Sequence, residues 1–86
     1  MLEIVQARMN FTPLAKLMYA RMFRKASQIK RFTITDAGSA GWEVREEQDS
    51  RIVRSVIYDD WHRVERARMN FAREALALRN GGWDEA

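Results

Sequence analysis

The apolar residues of this chain change their spacing at Asp59-Asp60, and that change limits the folds open to it. Between residues 31 and 58 they recur at every second residue, the period of one strand face; after this point they recur every three or four residues, the period of one helix face. Phe32 and Ile34 share a face within residues 31–35, and Trp42, Val44 and Glu46 alternate with Glu43, Arg45 and Glu47. The third stretch, Arg51–Tyr58, is rich in β-branched residues and largely apolar on both faces, with Val53, Ser55 and Ile57 on one and Ile52, Arg54, Val56 and Tyr58 on the other. Asp36-Ala37-Gly38-Ser39-Ala40-Gly41 and Gln48-Asp49-Ser50 carry turn chemistry between these strands. Val64, Ala67, Phe71, Ala75 and Leu78 then mark a helix face, with an Asp59-Asp60 N-cap before it and Gly81-Gly82 to end it. The expectation is an α+β fold: a three-stranded antiparallel sheet packed on one C-terminal helix from about residue 61 to 79, in the order β-β-β-α.

The basic residues divide the chain in two. Residues 1–30 hold six lysines and arginines against the single acid Glu3, whereas residues 31–86 hold nine arginines against eleven acids. A basic N-terminal arm, 1–30, therefore precedes a mildly acidic domain, 31–86. Thr12-Pro13 resembles a helix start. On a helical wheel Ala15, Met18, Tyr19, Met22, Phe23 and Ala26 fall opposite Lys16, Arg21, Arg24 and Lys25, so the arm reads as an amphipathic helix over about 13–27. Three placements are open to it: on the free face of the sheet, on an anionic surface, or extended without structure. In the second, Lys16, Arg21, Arg24 and Lys25 are the candidate anion contacts. Met22 offers an alternative initiator, which would make the preceding residues upstream sequence. The segment Ala7-Arg8-Met9-Asn10-Phe11 recurs as Ala67-Arg68-Met69-Asn70-Phe71, but one recurrence without matching flanks is not a repeat architecture.

No residue set carries a strong catalytic signature. The chain has no cysteine and one histidine, His62, in the first turn of the helix beside Asp59, Asp60 and Glu65. That set is short of ligands, which leaves a metal-dependent enzyme at His62 as a remote reading. Ser39, Ser50 and Ser55 lack a nucleophile-elbow context, Glu46 and Glu47 point to opposite faces of a strand, and the glycine pairs lack a phosphate loop's spacing and lysine. The expectation is a non-enzyme with no cofactor. No apolar run reaches the length of a membrane span. Arg63, Arg66, Asn70 and Arg73 recur at helical spacing and read as a solvated stripe turned away from the sheet.

Three antiparallel strands and a C-terminal helix resemble plant AP2-type domains and phage-integrase arm-binding domains, in which the open sheet face enters the DNA major groove. Here that face would show Thr33, Thr35, Glu43, Arg45 and Glu47, and its glutamates oppose phosphates, so nucleic-acid binding passes to the basic arm as the alternative function. GWEVREE at 41–47 and DWHRVERA at 60–67 resemble segments of small bacterial proteins of unknown function. That likeness implies a cytoplasmic bacterial protein and names no functional residue. The physical reading rests on the strand at 51–58. With Val53 and Ile57 turned to the helix, Ile52, Arg54, Val56 and Tyr58 form an apolar strip that needs covering by the arm, a second copy or a protein partner. The expected function is a small interaction module acting through that strip, as a homodimer or with another protein.

Overall fold

The computed structural model describes residues 16–86, and its first element is a strand where the wheel pattern suggests a helix. β1 (Lys16–Lys25) joins β2 (Gln28–Asp36) through a two-residue turn at Ala26-Ser27, with Ala26 left-handed at φ 53°. A single 3-10 turn (Gly38–Ala40) leads to β3 (Trp42–Gln48). Asp49 and Ser50, at φ 53° and 67°, then turn the chain into β4 (Arg51–Tyr58). Positive φ at both central residues matches the twist of the strands they join. α1 (Trp61–Asn80) starts at Asp60, whose carboxylate accepts from the His62 amide at 2.9 Å, and β5 (Asp84–Glu85) follows it.

The strands form one antiparallel sheet in the order β4-β3-β2-β1-β5, so the sheet has five strands and not three. The extra two depend on each other. On its helix side β1 presents Tyr19, Arg21, Phe23 and Lys25, and the arginine interrupts what would otherwise be an apolar alternation. Arg21 is satisfied by Glu85: its Nε and Nη2 each donate to a carboxylate oxygen at 2.7 Å, a bidentate pair. Glu85 arrives there because the helix ends at Gly81-Gly82, with Gly82 at φ 92°, and the chain returns beside β1 to set Glu85 opposite Phe23 and Asp84 opposite Arg24. The Ala86 amide donates to the Met22 carbonyl at 2.9 Å, and Lys25 Nζ donates to the Gly81 carbonyl at 2.8 Å. The helical arm is thus corrected from residue 16 onward. Thr12-Pro13 and the first copy of the recurring pentapeptide lie outside the described residues, and the second copy is part of α1. β1 straddles Met22, so a chain starting there would lack Tyr19 and Arg21.

The helix lies across one face of the sheet. Phe23, Phe32, Ile34 and Val44 from β1, β2 and β3 meet Val64, Phe71 and Ala75 of α1, all buried, with Tyr19, Trp42, Tyr58, Ala67, Leu78 and Trp83 around them. Phe71 sits between Tyr19 and Phe32, with ring centroids at 6.0 and 4.7 Å and the rings nearly parallel to it. Phe23 flanks Phe32 at 6.0 Å. Each such ring, fully buried, contributes about 1.5–3 kcal/mol. Gly41, at φ 110°, lets the backbone before β3 press against the end of β4, where a side chain would run into the Tyr58 carbonyl. Among the described residues no helix is long and apolar enough to cross a membrane.

Candidate binding surface

β4 is the outer strand. Its inner edge pairs with β3, and among the described residues nothing pairs with its other edge. Ile52, Val53 and Ile57 on it are 57%, 60% and 57% exposed. A free strand edge is a row of backbone donors and acceptors that invites another strand, and this one is long and apolar for an exposed edge. Arg51 and Arg54 are the charged residues on it.

A bulge decides which side chains of β4 face the helix. Gln48 lies opposite Arg51 and Glu47 opposite Ile52, but Glu46 lies opposite Arg54, so Val53 is an extra residue on the outer strand. Unbroken alternation from the Asp49-Ser50 turn would put Val53, Ser55 and Ile57 on the helix side, as the sequence pattern suggests. The slip by one residue reverses this beyond Val53. Arg54, Val56 and Tyr58 turn to the helix side, opposite Glu46, Val44 and Trp42, while Ser55 and Ile57 turn to the open face. The strip of Ile52, Arg54, Val56 and Tyr58 is therefore not one surface, because Ile52 lies before the bulge and the other three after it.

On the helix side a groove of about 270 Å³ runs between α1 and the β3-β4 hairpin. Arg63, Arg66 and Asn70 of α1 form one wall, and Arg54 and Glu46 the other. Val44, Tyr58, Ala67 and Phe71 supply an apolar floor. Part of the helical stripe, Arg63, Arg66 and Asn70, thus lines a groove beside β4 and is not turned wholly away from the sheet. Three guanidinium groups face one carboxylate here. Arg54, Arg63 and Arg66 are exposed and form no ion pair among the described residues. Arg73, the last residue of the stripe, instead donates to Asn70 Oδ1 at 3.3 Å.

The open face of the sheet has a different electrostatic character. Arg45 lies between Glu43 and Glu47, at 2.9 and 3.4 Å, and Arg31 is 3.9 Å from Glu47. Ser55 Oγ donates to Glu43 at 2.7 Å, tying β4 to β3. Burial pushes the Glu43 carboxyl up, but the Ser55 hydroxyl and the Arg45 guanidinium together outweigh it and hold the group below the ordinary carboxylate range. The guanidinium of Arg45 is stabilised in turn, chiefly by its hydrogen bond to Glu43. Thr33 is buried at the centre of this face. Arg31 and Arg45 on this face are thus taken up by the glutamates of β3.

The four candidate anion contacts of β1 are divided. Arg21 is committed to Glu85 and Lys25 to the Gly81 carbonyl, and only Lys16 and Arg24 stay exposed without such a bond among the described residues. His62 is exposed on the first turn of α1, and among the described residues no three His, Asp or Glu side chains gather as a metal site would need. Arg63 and Arg66 were visible in the sequence as part of a helical stripe; their meeting with Arg54 was not, because it depends on how α1 lies on the sheet and on the bulge. Compared with known protein families, with characterised proteins and with solved structures, the chain finds no match.

Proposed function

We propose that this chain is a non-enzymatic interaction module whose binding element is β4, which takes up an extended segment of another chain along its free edge. The observation that carries this reading is the edge itself: eight residues long, unpaired on its outer side among the described residues, with Ile52, Val53 and Ile57 more than half exposed. Strand addition supplies affinity through main-chain hydrogen bonds and specificity through alternate side chains on the two faces. Both faces beside β4 offer such contacts, apolar and hydroxyl groups on the open side at Ile57 and Ser55 and a basic groove on the other. The bulge and the two arginines limit indiscriminate pairing of the edge, which suits a strand that binds selectively.

The test is a paired measurement on the wild-type chain and an Ile52→Lys/Ile57→Lys variant. Sedimentation over a concentration series reports self-association, and titration with labelled extended peptides reports strand capture. One of the two, self-association or strand capture, is expected in wild type and lost in the variant, with the melting temperature changed little because both positions are exposed. Association that survives both lysines places the binding surface elsewhere, and a wild-type chain that binds neither itself nor any extended peptide refutes the reading.

A further inference from the structure

We infer that the segment received by β4 is an acidic peptide with carboxylates at alternate positions, and not a second copy of this chain. The inference rests on strand addition at β4 and names its occupant. A strand laid on the free edge continues the pleat, so every second side chain falls on the helix side. There it meets the groove, whose rims carry Arg54, Arg63 and Arg66 against the single carboxylate of Glu46. Guanidinium groups hold carboxylates through paired hydrogen bonds, and at the margin of an apolar floor such bonds are less screened than in open water. The alternate residues of the same strand fall on the open side beside Ser55 and Ile57, where small or β-branched side chains fit.

A second copy is a poor donor for this site. Pairing two β4 strands antiparallel about a dyad brings Arg54 of each copy to the same seam and joins two basic grooves, which is unfavourable without an intervening anion. A nucleic-acid strand would satisfy the arginines but not the backbone edge, because it has no row of amides and carbonyls at the spacing of a β-ladder. The free edge and the guanidinium-lined groove lie side by side, and an acidic extended peptide is the occupant that uses both.

The experiment titrates the full chain with five fluorescent probes. The first is an eight-residue peptide, the length of β4, alternating Glu with Thr; the second replaces Glu by Lys; the third and fourth are the acidic peptide N-methylated at alternate residues, one in each of the two registers; the fifth is single-stranded oligothymidylate. The acidic peptide is expected to bind, to weaken as salt is raised, and to lose at least about tenfold in affinity with Arg63→Glu/Arg66→Glu, whose positions are exposed and tolerate the change. One of the two N-methylation registers is expected to abolish binding. Equal binding of the Glu and Lys peptides, or self-association of the chain with no peptide bound, overturns the acidic occupant while leaving strand addition intact. Tighter binding of the oligonucleotide, lost in the same arginine variant, overturns it in favour of phosphate. Binding of the acidic peptide that is insensitive to both N-methylation registers means that the edge is not used, and then strand addition fails as well.

Discussion

Replacing Phe71 by alanine removes the one helix residue that stacks on two rings of the sheet. The side chain is 8% exposed, between Tyr19 at 6.0 Å and Phe32 at 4.7 Å. Truncating a buried phenylalanine costs about 3–5 kcal/mol, from lost transfer free energy and from the cavity left behind. A domain the size of residues 16–86 is stable by roughly 4–11 kcal/mol, so the variant is expected to be marginal or unfolded. Phe71→Leu separates the contributions. It keeps most of the volume but loses two aromatic pairs worth about 0.5–1.5 kcal/mol each, so it should cost about 1–3 kcal/mol. Leu76→Ala is the control, since Leu76 is on the same helix but 61% exposed, and it should change stability by less than about 0.5 kcal/mol. Urea unfolding followed by the fluorescence of Trp42, Trp61 and Trp83 reads all three. With a slope of about 1 kcal/mol per molar urea, the Phe71→Ala midpoint falls by about 3 M or more. A Phe71→Ala midpoint equal to that of Leu76→Ala would show that α1 does not pack on the sheet through this face.

Gly41→Ala should destabilise the fold by more than about 1 kcal/mol, visible as a lower melting temperature, because the position combines φ 110° with a collision at the Tyr58 carbonyl; an unchanged melting temperature refutes the close approach of the backbone to the end of β4. Glu43 titrates below its ordinary value of 4.5 in the fold, so the unfolded chain binds more protons as pH drops past that value and stability falls with it. Glu43→Gln should flatten this acid-side loss in melting temperatures taken from pH 7 to pH 3, and an unaltered slope refutes the role given to Glu43. The Tyr19 hydroxyl is buried beside the Arg21 guanidinium but makes no well-aligned hydrogen bond among the described residues, so Tyr19→Phe should leave the melting temperature nearly unchanged, and a clear fall would show that the hydroxyl is coupled to Arg21.

The legible parts of this fold are those whose local pattern agrees with their place in it. β2, β3 and the helix carry unbroken apolar periods, and an antiparallel sheet with one C-terminal helix follows from them. β1 was obscured by Arg21, a charged residue on a core-facing position that is tolerable only because Glu85 reaches it from the far end of the chain. Its hairpin was obscured as well, since Ala26 takes a left-handed φ of 53° without being a glycine or asparagine. β5 is two residues long and has no period at all. For the candidate binding surface, the sequence singled out β4 but misassigned its faces. A bulge adds one residue without a compositional mark, and Val53 is as good a strand residue as its neighbours, so nothing local announces the slip that turns Arg54 and Tyr58 toward the helix.

Amide hydrogen exchange, resolved by residue, tests the central claim most directly when it is recorded on the chain alone and then saturated with the alternating Glu-Thr peptide. Outward-facing amides of β4 have no backbone partner among the described residues and should exchange rapidly, and in the complex these amides within residues 51–58 should become protected while β5 and the outer face of α1 stay as they were. Protection confined to α1 or to the open face, with β4 still exchanging freely, would contradict the account and assign the peptide to a surface other than the edge.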